Sequence, residues 1–204
     1  MSILVDIFSS IGMWEAVLRI ATPLIFGTLG VLLCERVGVL NLGVEGIMTF
    51  GAMAGWLTVF SGGDLWLGVL IAALCGAVFG LLHALMTAVL GLSQHVTGLG
   101  ITLFASSFSY FIFRLAVPTA SSPPTGVPFE SSPVPCLSEV PFVGPILFNQ
   151  TPLTYLALIL VLLIAYVLYR TPCGLAIRMT GDNPHAVDAQ GIDPIKLRIF
   201  TIMA

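Results

Sequence analysis

Apolar residues along this chain come in long runs, not in alternation or in narrow stripes. Five runs are long enough to cross a bilayer as helices: about 16–34, 39–60, 65–90, 96–117 and 153–169. Roughly 18 consecutive apolar residues mark such a span. Each run stops at a polar or turn-forming signal: Glu35-Arg36, Ser61-Gly62-Gly63-Asp64, Gly91, Pro118 and Arg170. The closing IFTIMA reads as the start of a sixth span. The ten-residue alternating segments of a membrane barrel are absent. The pattern therefore predicts an all-α, polytopic transmembrane helical bundle of about five spans plus the start of a sixth, with residues 1–204 as a single domain. Residues 2–15, with Asp6 and Glu15, read as a short flanking or interfacial segment. They do not read as a secretory signal, because the first basic residue is Arg19.

Composition agrees with the runs. The chain is 57% hydrophobic and 8% charged, with a mean hydropathy of +1.06. Soluble domains carry about 25% charged residues. A net charge of −3 gives no reason to expect nucleic acid as a partner. Lys196 is the sole lysine, so a GxxxxGK[ST] phosphate loop is impossible. Cys34, Cys75, Cys136 and Cys173 are scattered, without metal or redox spacing. They read as packing residues, Cys136 being a candidate exposed thiol. No cofactor is expected.

Orientation follows the basic residues of short loops. The 118–152 loop has no Lys or Arg, is punctuated by proline and carries Glu130 and Glu139. The 170–198 loop holds four of the chain's seven Lys and Arg residues. This places 118–152 outside the cell, 170–198 in the cytoplasm and the N-terminus outside. Arg114 runs against the rule and is expected to snorkel to the interface. The outer loop is a connecting cap, or part of a docking face for an external partner.

Within the spans, Ala72, Gly76, Gly80, Ala84 and Ala88 form a smooth face for close helix packing. The second run carries Asn41 and Glu45 plus glycines at 38, 43, 46, 51 and 55. On a continuous helix Asn41 and Glu45 would share a face. Asn41, Glu45 and Thr49 then either line a translocation path or brace a bent helix near the inner interface. The fourth run is rich in hydroxyls; Thr97, Thr102 and Ser106 are its candidate path residues. His83 and His95 read as interfacial residues before proton relays. No GxSxG, HExxH or paired intramembrane aspartates suggest catalysis.

The 170–198 loop contains GDNPHAVDAQGI. Asn183 can cap a helix, Pro184 fits its first position, and Gly191 ends it after about two turns. So short a helix must pack on the bundle or on a partner.

With these residues in view, RTPCGLAIRMTGDNPHAVDAQGI resembles the cytoplasmic loop of ABC-importer permeases of the branched-chain amino acid, ribose and nucleoside group. ERVGVLNLGVEGIMTFGAMAGW resembles the second signature of that group, in its nucleoside and simple-sugar branch. The resemblance implies a non-catalytic permease subunit in a bacterial plasma membrane. It implies a separate ATP-binding subunit, a second permease subunit, an extracytoplasmic substrate-binding protein and surrounding lipid as partners. Carried over by position, Gly181, Asp182, Asn183, Pro184, His185, Ala186, Ala189 and Gly191 form the helix that couples to the ATPase. Permeases of this kind continue beyond the coupling loop, so a chain ending at Ala204 is expected to be truncated at its C-terminus. The shorter permease of a heterodimer is the nearest match. An ion-coupled carrier using Glu45 and His83, or a branched-chain amino acid permease, stands as the alternative.

Overall fold

A computed structural model describes residues 9–117, 128–133 and 143–204. Four helices in it are long and apolar enough to cross a membrane. These are α1 (Ile11–Arg36), α3 (Leu65–Ala84, continued by a π-helical turn at Leu85–Val89), α4 (Gln94–Ala116) and α6 (Pro152–Arg170). A shorter apolar helix, α2, covers Val44–Phe60. The outer segment contains α5 (Val143–Phe148). The basic region holds α7 (Pro172–Asp182), α8 (Pro184–Asp188) and α9 (Pro194–Met203). The described residues contain no strand, in keeping with the all-α expectation.

Three boundaries differ from the sequence reading. Helix α1 begins at Ile11 and not near residue 16, so residues 11–15 of the expected flanking segment are helical. The second span does not start at residue 39. Gly38 has φ +85, which ends α1 in the left-handed conformation that glycine permits. The Val39 amide then closes on the Cys34 carbonyl at 2.9 Å. Asn41 Oδ1 accepts the Gly43 amide at 2.9 Å, an Asx turn that delays the helix to Val44. Finally, the 170–198 region is largely helical. Thr171 and Asp193 cap α7 and α9, each followed by proline at the first helical position. The reading found the Asn183-Pro184 pair and missed Thr171-Pro172 and Asp193-Pro194, which carry the same signal.

The chain divides into two compact units. The first comprises Met1–Thr28 and Pro128–Ala165. Its polar anchor is Gln150, fully buried, whose Nε2 donates to the Ile146 carbonyl at 2.8 Å. Around it Tyr155 receives the Gln150 amide at 3.1 Å and donates to the Ser132 carbonyl at 3.2 Å. Thr22 and Thr154 share a buried hydroxyl hydrogen bond of 2.9 Å. Cys136 and Glu139 lie outside the described residues.

The second unit comprises Leu29–Val127 and Tyr166–Ala204. Its core is Phe50, Phe79, Ile101 and Ala105. Phe50 meets Phe79 edge-on at 5.0 Å and stacks on Phe108 at 5.6 Å. The small-residue face of α3 packs tightly at Gly80, and not at Gly76, where the nearest atom to a Cβ would be 3.9 Å away; Gly68, one turn before Ala72, is a second tight point. A Cβ at Gly68 would lie 3.0 Å from the Gly55 carbonyl oxygen, and one at Gly80 2.6 Å from that of Ile202. Helices α2 and α9 thus approach α3 as closely as backbones allow.

Candidate functional site

Both regions singled out by sequence lie in the second unit. The first is the basic corner. The Asn183 side chain accepts the Ala186 amide at 3.3 Å, capping α8. Gly191 has φ +80 and follows the end of the helix. The capped helix, Pro184–Asp188, is nearer one turn than the two expected. Val187 is 1% exposed and anchors it, while Asp182, Asn183, His185, Asp188 and Ala189 face outward. A corner held from one side by a single apolar residue leaves its polar side exposed.

Beneath the corner the backbones are in contact. A Cβ on Gly181 would collide with the Arg36 carbonyl oxygen, and one on Gly38 would lie 3.0 Å from the Gly181 Cα. Glycine is required at both positions for that approach. Arg198 Nε donates to the Val37 carbonyl at 3.4 Å. Arg36 Nη2 donates to the Tyr169 hydroxyl at 3.3 Å, and the Arg178 guanidinium lies 5.2 Å from the Tyr169 ring centroid. Asp193 accepts the Ile195 and Lys196 amides at 2.9 and 3.2 Å. The Lys196 amide first, then that of Ile195 and the Lys196 ammonium, hold its carboxyl below the usual carboxylate range.

The second region is the set of candidate path residues, and the structure divides them. Thr49 and Ser106 come together in a groove of about 600 Å³ between α2 and α4, with Trp56, Ser109, Tyr110 and Phe113. The Thr49 hydroxyl bonds its own helix at the Glu45 carbonyl, 2.8 Å away. Trp56 stacks on Phe60 at 4.9 Å and meets Phe113 at 5.5 Å. Ser109 and the three aromatics are not among the path residues that the sequence singles out. The available signal is their helical spacing: Trp56 lies seven residues after Thr49, Tyr110 four after Ser106 and Phe113 three after Tyr110.

The other candidates stand elsewhere. Thr97 lines a separate, mainly apolar hollow with Leu82, Met86 and Phe104. Thr102 spends its hydroxyl on the Leu42 carbonyl at 3.0 Å. Asn41 precedes α2, so it does not share a helical face with Glu45. Glu45 is exposed in the first turn of α2, where the helix dipole favours a carboxylate. The bracing pair expected of Asn41 and Glu45 is not formed. His83 is fully buried. Its ring lies beside the Leu40 backbone, yet neither nitrogen completes a hydrogen bond of ordinary geometry. No group of His, Cys, Asp and Glu able to hold a metal occurs among the described residues.

Several apolar helices long enough to cross a membrane, together with a basic and multiply capped helical corner, define a multi-pass membrane protein. Residues 13–204 match the family described as branched-chain amino acid transport system / permease component, and the chain belongs to that family. It is 36% identical over 195 residues to the guanosine ABC transporter permease protein NupQ of Bacillus subtilis, covering 92% of this chain and 61% of that one. It is 36% identical over 180 residues to the nucleoside ABC transporter permease protein NupC of Lactococcus lactis, covering 85% and 56%. The putative glucose ABC transporter permease protein TsgC13 of Haloferax volcanii is 34% identical over 194 residues, covering 94% and 58%. The chain thus spans 56% to 61% of the length of these relatives. No solved structure matches it.

Proposed function

We propose that this chain is the part of an ABC-importer permease that couples to the ATPase and forms one wall of the solute path. The observation that carries the reading is α8. It is a short, Asn183-capped helix whose outward polar face sits on a corner joined backbone to backbone to the turn after α1. In this reading α8 docks on a separate ATP-binding subunit, and that subunit hydrolyses the nucleotide. Gly181, Asp182, Asn183, Pro184, His185, Ala186, Ala189 and Gly191 form the docking surface or hold its shape. The 170–198 region is cytoplasmic, while 118–152 and the N-terminus face outside, toward a substrate-binding protein. A second permease subunit completes the path in the plasma membrane.

The solute is a nucleoside before a simple sugar. The groove between α2 and α4 supports this choice with three aromatic rings, on which a base can stack, beside the serine hydroxyls of Ser106 and Ser109, which suit a ribose. Two of the relatives above are named for nucleosides.

The test is a pull-down of the full-length protein from detergent-solubilised membranes, with Gly181–Gly191 intact or scrambled. An ATP-binding subunit is expected to copurify with the intact sequence alone. If none copurifies with either, the docking assignment fails and an ion-coupled carrier becomes the leading reading.

A further inference from the structure

Residues 37–43 form the longest non-helical stretch among the described residues of the second unit, and Val37, Val39, Asn41 and Gly43 are buried in it while Gly38 and Leu42 are exposed. Val37 is 0% and Val39 2% exposed, and Asn41 sits at the burial limit. Irregular backbone in a membrane protein survives where protein satisfies its polar groups, and here it is satisfied from two directions. On one side stands the basic corner. Gly181 abuts the Arg36 carbonyl and Gly38, and Arg198 reaches the Val37 carbonyl at 3.4 Å.

On the other side stands α4. Gln94 Oε1 accepts the Leu40 amide at 2.7 Å. Thr102 Oγ1 donates to the Leu42 carbonyl at 3.0 Å. A Cβ at Gly98 would lie 2.9 Å from the Leu42 nitrogen. One turn beyond Thr102, Ser106 lines the groove. The segment is therefore clamped at one end to α7, through Gly181, and α9, through Arg198, and at the other to the groove helix.

Each clamp includes a contact made by a glycine against backbone, Gly181 on Arg36 and Gly98 on Leu42, beside the side-chain hydrogen bonds of Arg198 and Gln94. Glycine-to-backbone contacts cannot be relieved by changing a rotamer, so displacement at one end is passed on. The Asx turn of Asn41 and the left-handed Gly38 fix the length of the segment between the clamps.

We infer that residues 37–43 transmit movement of the α7–α8 corner to α4, with Gln94 as the positioning residue that ties the segment to the groove helix. This rests on the proposed permease function. It adds that the ATPase signal reaches the solute path through this segment.

The experiment uses the full-length permease reconstituted with its ATP-binding subunit and binding protein. It compares wild type, Gln94→Met and Gln94→Glu. Met keeps the length of the side chain and loses the acceptor; Glu keeps the acceptor. Uptake and ATP hydrolysis are measured together. Gln94→Met is expected to retain the ATPase in pull-down and raise the ATP consumed per solute by about twofold to thirtyfold, the range of such coupling energies. Gln94→Glu is expected to restore the wild-type ratio. A merely structural role for Gln94 would lower uptake and hydrolysis in proportion, and an unchanged ratio in Gln94→Met overturns the inference.

If Gln94→Met does not assemble, amide exchange of residues 37–43 in the wild-type complex decides. Exchange that changes between the nucleotide-free and ATP-trapped states upholds the inference; exchange that does not change overturns it. Failure of the ATPase to bind wild type would instead strike at the permease reading itself.

Discussion

The second and third apolar runs look alike in sequence and fold differently. Both are long, rich in small residues and free of lysine and arginine. The third forms one continuous element from Leu65 to Val89. The second yields an irregular segment followed by the 17-residue helix α2. Glycine content does not separate them, since α3 also carries Gly68, Gly76 and Gly80. The difference lies in what stands near the glycines. In α3 no Asn, Asp or Ser competes for the backbone, so the glycines stay helical and serve as contact points. In the second run Gly38 occupies the left-handed region, and Asn41 captures the amide of Gly43. A helix-breaking glycine thus becomes effective when a short polar side chain offers its backbone another partner.

The largest effect should come from setting a side chain at the α2–α4 crossing against one on the face of α3. A Cβ at Gly46 would lie 2.5 Å from the Thr102 Cα and 2.7 Å from its carbonyl oxygen. Backbone must shift to admit it, which costs about 3 kcal/mol or more for Gly46→Val. Thermal unfolding in detergent should show a clear loss of stability or no folded protein. Gly76→Ala is the control, because its nearest neighbour would be Ile47 at 3.9 Å. That helical glycine should accept alanine without loss, and gain up to about 1 kcal/mol in propensity. Equal effects at the two positions would mean that the α2–α4 crossing is not as close as described.

An intermediate effect is expected at Asn41. Alanine there removes the acceptor of the Gly43 amide, and Gly43 is buried. A buried donor left without a partner costs about 1–3 kcal/mol. Asn41→Ala should therefore lower stability and loosen residues 37–43, seen as faster cleavage by protease at this segment. If the substituted protein is as stable and as resistant as wild type, the Asx turn does not set the start of α2.

The sequence displayed the spans through the lengths of their apolar runs, which is why the ends of α4 and α6 fall within two residues of expectation. It displayed α8 through Asn183, Pro184 and Gly191. What it hid depends on contacts between distant residues. Nothing local announces that the Gln94 side chain receives the Leu40 amide, or that Gly181 meets Arg36, since both pairings exist only once the helices have packed. The candidate path divided for the same reason. Thr49 and Ser106 share a groove because α2 crosses α4 at Gly46, whereas Thr97 points to another side of α4.

The smallest effect should come from the start of α3, the regular counterpart of Asn41. Asp64 Oδ2 accepts the Trp66 amide at 3.1 Å, and Asp64 is exposed. Chemically this is the same device, a short side chain taking an amide two residues on. Here, however, water can replace the lost acceptor, so the amide is not stranded. Asp64→Ala should cost about 0.5–1 kcal/mol, the ordinary loss of an exposed cap. The helix should still begin within a residue or two of Leu65, because the Gly62-Gly63 turn before it remains. Measured by thermal unfolding beside Asn41→Ala, the smaller loss would attribute the difference between the two caps to burial. A loss as large as that at Asn41 would show that the membrane boundary at Asp64 is drier than its exposure indicates, and that capping itself sets where each apolar run becomes a helix.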